Sequence, residues 1–213
     1  MVGRYASASL QERVKIWARL ICLQPILKAI DQHIPTTSGR LIDLGCGHGL
    51  VSLLVASRRR QTILGIEMSP SRFAIAKKAA HDLSHVTFQH GDIAQMRIPL
   101  GDAILLIDVL FLFSDETQQR ILANCAHALT PKGVVLVKDN TTIPGWKCCY
   151  ATFEEKIKRS IRAYGVTTRS RPNYHASHRW RQLIRRANLK ICNEFLIESI
   201  APYPGIIYVC QKC

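Results

Sequence analysis

Between Gly39 and Lys138 the chain alternates short apolar runs, rich in β-branched residues, with stretches of helical periodicity. Arg40-Leu-Ile-Asp-Leu44, Thr62-Ile-Leu-Gly-Ile-Glu67, Val86-Thr-Phe-Gln-His90, Ala103-Ile-Leu-Leu-Ile-Asp108 and Gly133-Val-Val-Leu-Val-Lys138 read as five strands. Helices fall between them. One covers Leu50 to Ser57. A second is opened by Ser69-Pro70, a capping hydroxyl followed by Pro at the first helical position. A third begins at Ser114-Asp-Glu, whose acidic residues complement the positive helix end. Strands and helices in this order predict an α/β fold with a parallel, doubly wound sheet, whose loops and helix N-termini meet at the carboxyl edge where such folds bind ligands.

The flanks depart from that rhythm. Residues 9–33 predict one amphipathic helix or two, bent near Pro25. Residues 143–178 contain Pro144-Gly145-Trp146, a basic helix around Phe153 to Tyr164, and Thr167-Thr-Arg-Ser-Arg-Pro-Asn-Tyr-His175. A helix near Ser177 to Asn188 and strands over Ile191–Ile197 and Ile206–Cys210 follow. The expectation is one domain over 1–213: an N-terminal helical segment (1–38), a ligand-binding core (39–142), a basic insert or lid (143–178), and a last helix with a strand pair (179–213). The N-terminal helix and the insert are both expected over the carboxyl edge.

Composition changes this picture little, and charge changes it more. Apolar residues at 47% and charged residues at 21% exclude a disordered chain. Apolar runs stay short of the roughly 18 residues a membrane span needs, and the amphipathic start does not read as a signal peptide, so a cytoplasmic protein is expected. Net charge is +14. Residues 1–40 hold 6 basic and 2 acidic side chains, residues 41–144 hold 10 and 9, and residues 145–213 hold 13 and 4. The two flanks therefore carry the positive field, which suits an acidic partner or simply a solvated face. The eight cysteines are scattered, and Cys210-Gln-Lys-Cys213 lacks a second pair or nearby His, so no metal site is expected. Reduced thiols fit best.

The chemistry-bearing residues stand at strand ends. Asp43-Leu-Gly45-Cys46-Gly47-His-Gly49 follows a strand and opens a helix, and its glycines let the backbone turn tightly and approach a ligand. Leu50 stands where a dinucleotide fingerprint wants its third glycine, and there is no phosphate-binding P-loop. Glu67 ends the second strand, where a carboxylate can accept from ribose hydroxyls. Met68 beside it suits an adenine face. Asp92 and Ile93 follow the third strand, and Asp108 ends the fourth. Asp92 can equally cap a turn and Asp108 the next helix. Four carboxylates at four successive strand ends make a binding edge.

With LIDLGCGHG, GIEMSP, HGDI, DAILLIDVL and LTPKGVVLVKD, residues 40–139 resemble the class I S-adenosylmethionine-dependent methyltransferases. RQLIRRANLKICNEFLIES and PYPGIIYVCQK look like that family's last helix and strand pair. The resemblance implies a Rossmann-like sheet of seven strands, mostly parallel, with the last antiparallel. It implies S-adenosyl-L-methionine as cofactor and S-adenosyl-L-homocysteine as product. By position, Gly45, Cys46, Gly47 and Gly49 would wrap the methionine part and Asp43 would organise its amino group. Glu67 would bind the ribose, Met68 and Ile93 would sandwich the adenine, Asp92 would hold its amino group, and Asp108 would face the reaction space.

The acceptor is less constrained. After the fourth strand Asp108-Val-Leu-Phe-Leu-Phe113 stands where enzymes acting on nucleobase amino groups carry N/D-P-P-Y/F, and there is no Pro-Cys pair for cytosine C5 chemistry. Phe111, Phe113 and Trp146 suit an aromatic or apolar acceptor, and equally a core. Tyr174-His175-Ala-Ser-His178 is a candidate acid–base cluster, or a surface turn before the next helix. "QPILKAI", "HRWRQLIRRANL" and "PYPGIIYVC" resemble small methyltransferases encoded beside fatty-acid-like or aryl-polyene synthases, which implies a substrate on an acidic carrier protein. The expected function is therefore O-methylation of a small-molecule or carrier-bound aromatic or acyl substrate. One alternative is an RNA methyltransferase whose basic flanks grip phosphates while Trp146, Tyr150, Tyr164, Tyr174 and Trp180 stack bases. Another is a non-catalytic cofactor-binding module that docks a partner.

Overall fold

The computed structural model describes residues 2–36, 39–141, 173–197 and 205–213. The alternating core forms as the pattern predicts. Strands β1 (Arg40–Leu44), β2 (Thr62–Glu67), β3 (Val86–His90), β4 (Gly101–Ile107) and β5 (Leu129–Asn140) are joined in sequence by helices α3 (Leu50–Ala56), α4 (Pro70–Ala79) and α5 (Asp115–Ala128), with a loop between β3 and β4. Ahead of them lie α1 (Leu10–Cys22) and α2 (Gln24–His33), and after them α6 (Ser177–Arg186), β6 (Leu189–Ile197) and β7 (Gly205–Lys212). The bend expected near Pro25 is a helix break at Leu23, with Pro25 in the first turn of α2.

The seven described strands make one sheet in the order β3-β2-β1-β4-β5-β7-β6. The first five pair in parallel, and β7 runs antiparallel to both β5 and β6. The order reverses between β1 and β4, which opens the crevice that ligands use in such sheets.

Alternate residues of each central strand feed two cores. Leu41, Ile63, Ala103, Leu105 and Leu136 pack under α1, α2 and α3, while Ile42, Ile66, Ile104, Leu106 and Val135 pack under α5 and α6. Period-two alternation within strands buried on both faces gives this split. On the first face Arg59, itself buried, donates to the carbonyls of Ile30 and Ile34 and pairs with Asp31, closing the end of α2.

Local departures from the sequence reading have physical causes. Ser114 caps α5 through the Thr117 N–H as expected, whereas the Ser69 hydroxyl makes no cap bond. Its backbone N–H is taken by Glu67 Oε1 at 2.8 Å, so the carboxylate orders the turn instead. Asp108 is not in β4. It adopts φ 54°, a left-handed conformation that Asp tolerates better than most residues. The basic helix expected around 153–164, with Pro144, Trp146 and Tyr150, lies outside the described residues. No helix among the described residues is long and apolar enough to cross a membrane.

Candidate functional site

The turn after β1 sets the site. Gly45, Gly47 and Gly49 all take positive φ, at 73°, 59° and 75°. Gly45 and Cys46 donate their N–H groups to the Ile66 carbonyl, tying the turn to β2. A Cβ at Gly45 would lie 2.5 Å from Val109 Cγ2, and one at Gly49 would lie 2.5 Å from Phe88 Cζ. A Cβ at Gly47 would meet nothing within 4 Å. Two glycines thus satisfy packing, and Gly47 presents bare backbone to open space.

Glu67 stands beside that backbone. Its Oε2 accepts the Gly47 N–H at 2.8 Å and its Oε1 the Ser69 N–H, in a position only 8% exposed. Each oxygen retains acceptor capacity, so the carboxylate can take two further donors such as vicinal hydroxyls. Asp43 is fully buried, and its Oδ2 accepts the Ser52 hydroxyl at 2.6 Å. Burial raises its pKa to about 6, while Ser52 and Arg19 oppose that rise. Burial likewise pushes the Cys46 thiol well above its ordinary range, which leaves it a neutral lining group.

Asp92 and Ile93 follow β3 as expected. Ile93 is buried in the second core, and Met68 is partly exposed. Asp92 Oδ1 accepts the Ala94 N–H and Oδ2 the Gln95 amide, so it does cap a turn. The spare lone pairs of its carboxylate leave room for one more donor.

Past β4 the edge becomes an ionic cluster. Asp108 contacts Lys138 directly, and its other oxygen lies 3.8 Å from Arg19 Nη2. Asp139 is buried, accepts the N–H groups of Phe111 and Asn140, and has its pKa raised to about 7 by burial and by Asp108.

The structure brings α1, through Glu12, and the short 3-10 helix Val2–Tyr5 ahead of it onto this edge. Tyr5 Oη donates to the His48 carbonyl at 2.9 Å, and His48 Nε2 donates to Glu12 at 2.5 Å. Arg19, Asp43, Gly45, Cys46, His48 and Ile107 then enclose, with their neighbours, a cavity of about 10 Å³. Sequence reasoning missed Arg19, Ser52, Lys138 and Asp139. Arg19, Lys138 and Asp139 meet partners from distant strands and loops, and Ser52 meets Asp43 from nine residues on, across the glycine turn, so no local pattern marks them, although charge on the N-terminal helix hinted at Arg19.

The candidate acid–base cluster is divided by its surroundings. His175 is buried, donates from Nε2 to Gln118 Oε1 at 2.8 Å, and packs edge-on against Trp180. Gln118 in turn donates to the carbonyls of Leu110 and Phe113. Burial lowers the His175 pKa, against the opposing charge of Asp115. This placement gives His175 the work of joining α5, α6 and the loop after β4. Tyr174 packs on Phe111 with ring centroids 5.2 Å apart, and His178 is exposed on the first turn of α6. Of the expected apolar rim, Phe111 is a core residue, Phe113 is partly exposed, and Trp146 lies outside the described residues.

The edge fits the cofactor that the sequence resemblance implies. An amino-acid-bearing nucleoside needs acceptors for ribose hydroxyls, an acceptor for an ammonium, and bare backbone between them. Glu67, Asp43 and Gly47 supply these in adjacent positions.

Comparison with known proteins points the same way. Residues 41–133 match the family model described as a methyltransferase domain. The ubiquinone biosynthesis O-methyltransferase of Coxiella burnetii is 31% identical over 110 residues, which is 50% of this chain and 46% of that protein. The chain thus spans about half the length of this curated relative. The [4+2]-cyclase SpnF superposes with a TM-score of 0.70 at 17% identity, covering 89% of this chain and 80% of that one. Magnesium protoporphyrin IX methyltransferase from Synechocystis, solved with bound S-adenosylhomocysteine, superposes with a TM-score of 0.68 at 17% identity over 90% of this chain and 82% of that one.

Proposed function

We propose that this chain, whose core is that of a class I S-adenosylmethionine-dependent methyltransferase, methylates an oxygen of a small or carrier-bound aromatic or acyl substrate. The observation that carries the reading is the left-handed glycine turn opposed by Glu67. Bare backbone at Gly47 and a buried carboxylate in contact with it form a nucleoside cradle rather than a catalytic dyad. When bound, S-adenosylmethionine supplies an activated methyl group that a positioned nucleophile can take directly.

The chain's residues then bind, orient and exclude water. Glu67 fixes the ribose end, Asp43 the ammonium, and the Gly45–Gly49 turn the path between them. Asp108 and Lys138 keep the far side of the site polar but nearly neutral. Positioning of this kind supplies most of the acceleration such a transfer needs, and no described histidine has to act as base.

Oxygen as the acceptor is supported by the absence of a nucleobase-amine motif at residues 108–113 and by the activity named for the Coxiella relative. A carrier-bound substrate is supported by the positive flanks, which would attract an acidic carrier. Because one structural neighbour is named for a cyclisation, the fold by itself does not fix the reaction.

The test is transfer of labelled methyl from S-adenosylmethionine into fractionated lysate, with Glu67→Ala as control. Label in the small-molecule, lipid or acidic carrier-protein fraction is expected. Label confined to a nuclease-sensitive fraction would replace this reading with the RNA one, and absence of turnover on every fraction would favour a docking module.

A further inference from the structure

The amino-terminal edge of the sheet, opposite the glycine turn, carries a cleft of about 560 Å³. It opens between the turn from α3 to β2 and the turn from α4 to β3, and Arg58, Arg59, Arg60, Leu83 and His85 are among the residues of its wall. The volume is that of a small-molecule site. Strand β2 separates Arg60 from Glu67 by about 20 Å at the rise of an extended chain, so the cleft is distinct from the cofactor edge.

The three consecutive arginines differ in what each already holds. Arg59 is buried and committed to the fold: it donates to the carbonyls of Ile30 and Ile34, the negative end of α2, and pairs with Asp31. Arg58 donates to the other oxygen of Asp31 at 3.0 Å, so one carboxylate faces two guanidiniums. Arg60 is exposed and, among the described residues, makes no side-chain hydrogen bond or ion pair. Asp82, also in the wall, is taken by Arg4 in a two-bond pair. The cleft therefore keeps more positive charge than its carboxylates neutralise. Two polar side chains are also without partners. His85 Nε2, in the wall, is closed off from solvent and unbonded, as are both amide atoms of Gln61, which follows Arg60 and is 5% exposed. Orphaned buried polar atoms are rare, and a bound group is one way they are satisfied.

We propose that this cleft binds a small phosphomonoester, with Arg60 and Arg58 gripping the phosphate and the His85 ring turning inward to give Nε2 a partner. A guanidinium fork matches phosphate oxygens in a two-bond geometry. Ala56 and Leu83 offer apolar contact to the organic body that the remaining volume admits. A nucleic-acid strand fits less well. Its affinity comes from a row of phosphate contacts, and here Asp31 and Asp82 flank the arginines and would repel the neighbouring phosphates.

Calorimetric titration of the full chain with phenyl phosphate, in a phosphate-free buffer, tests this. One equivalent should bind. Arg60→Gln should weaken binding about 20-fold, the scale of a charge-assisted pair, and Arg58→Gln about threefold because Arg58 already shares Asp31. Arg120→Gln, an equal loss of charge on the exposed side of α5, should leave the affinity unchanged. Thermal melting of the variants checks that the fold is kept. Saturating S-adenosylhomocysteine should not displace the probe. No binding by the parent, an equal loss in Arg120→Gln, or displacement by S-adenosylhomocysteine would each overturn the assignment. A single-stranded RNA decamer that binds more tightly than phenyl phosphate, and loses that affinity in Arg60→Gln, would overturn it in favour of a polynucleotide.

Discussion

Removing the Ser52 hydroxyl should move the pH at which the protein binds its cofactor. Ser52 is fully buried, and its Oγ donates to Asp43 Oδ2 at 2.6 Å. Asp43 must be ionised to hold an ammonium, yet burial raises its pKa to about 6. Affinity for S-adenosylhomocysteine should therefore be level above pH 6 and fall about tenfold per unit below it. In Ser52→Ala the ionised carboxylate loses a donor worth ~1.5–3 kcal/mol, while the protonated form loses a weaker neutral bond worth ~0.5–1.5 kcal/mol. The difference is about 1.4 kcal/mol, or about one pH unit. The midpoint should accordingly rise to about 7. Calorimetric titrations from pH 5 to 8 read this directly, and Asp43→Asn should abolish the edge altogether. A midpoint that stays in place in Ser52→Ala would refute the reasoning, because the group being titrated would not be Asp43.

Stability carries its own pH signature. The folded pKa values of Asp43 and Asp139, about 6 and about 7, lie above the unfolded value, so their favourable contribution is complete below about pH 4 and is lost as pH rises through 6–7. Asp139→Asn should flatten the upper part of that decline in thermal melts. His175 has the opposite sign: its lowered folded pKa means stability lost as pH falls below about 6.5. His175→Ala should cost about 2–3 kcal/mol through its buried bond and its packing on Trp180, whereas His178→Ala should alter neither melting nor turnover. Gly49→Ala should destabilise by about 3 kcal/mol or more, from the Phe88 overlap added to its left-handed φ. Gly47→Ala should cost about 1–2 kcal/mol in stability yet weaken cofactor binding at least about tenfold, since its methyl enters the cradle; equal effects of the two changes would contradict the division of roles.

The sheet was legible because each central strand is a short apolar run closed by a turn or helix signal, and parallel strands buried on both faces cannot be written otherwise. The glycine turn and the strand-end carboxylates were legible for a related reason: the chemistry sits where the periodicity changes. The surroundings of His175 could not be read along the chain. A Tyr-His pair ahead of a helix looks like reactive groups on a turn, and only the placement of Gln118, 57 residues earlier, reveals that the imidazole is spoken for. Ser52 was invisible, and Arg19 marked by no more than the charge of its helix, because their importance comes from elements folded against Asp43. Asp139 lies one residue past the expected fifth strand, and its burial depends on the loop from β4 whose Phe111 N–H it accepts.

The seat of α1 over the glycine turn also gives cofactor exchange a time course of its own. If the helix must leave before a ligand enters, association contains a first-order step that no concentration of ligand can accelerate. In stopped-flow mixing the observed rate should rise with cofactor concentration and then level at the opening rate of α1. Weakening the latch by Glu12→Gln should lift that plateau, and departure of the product should quicken in the same proportion. Turnover in such a protein would be paced by how often one helix lets go of His48 through Glu12.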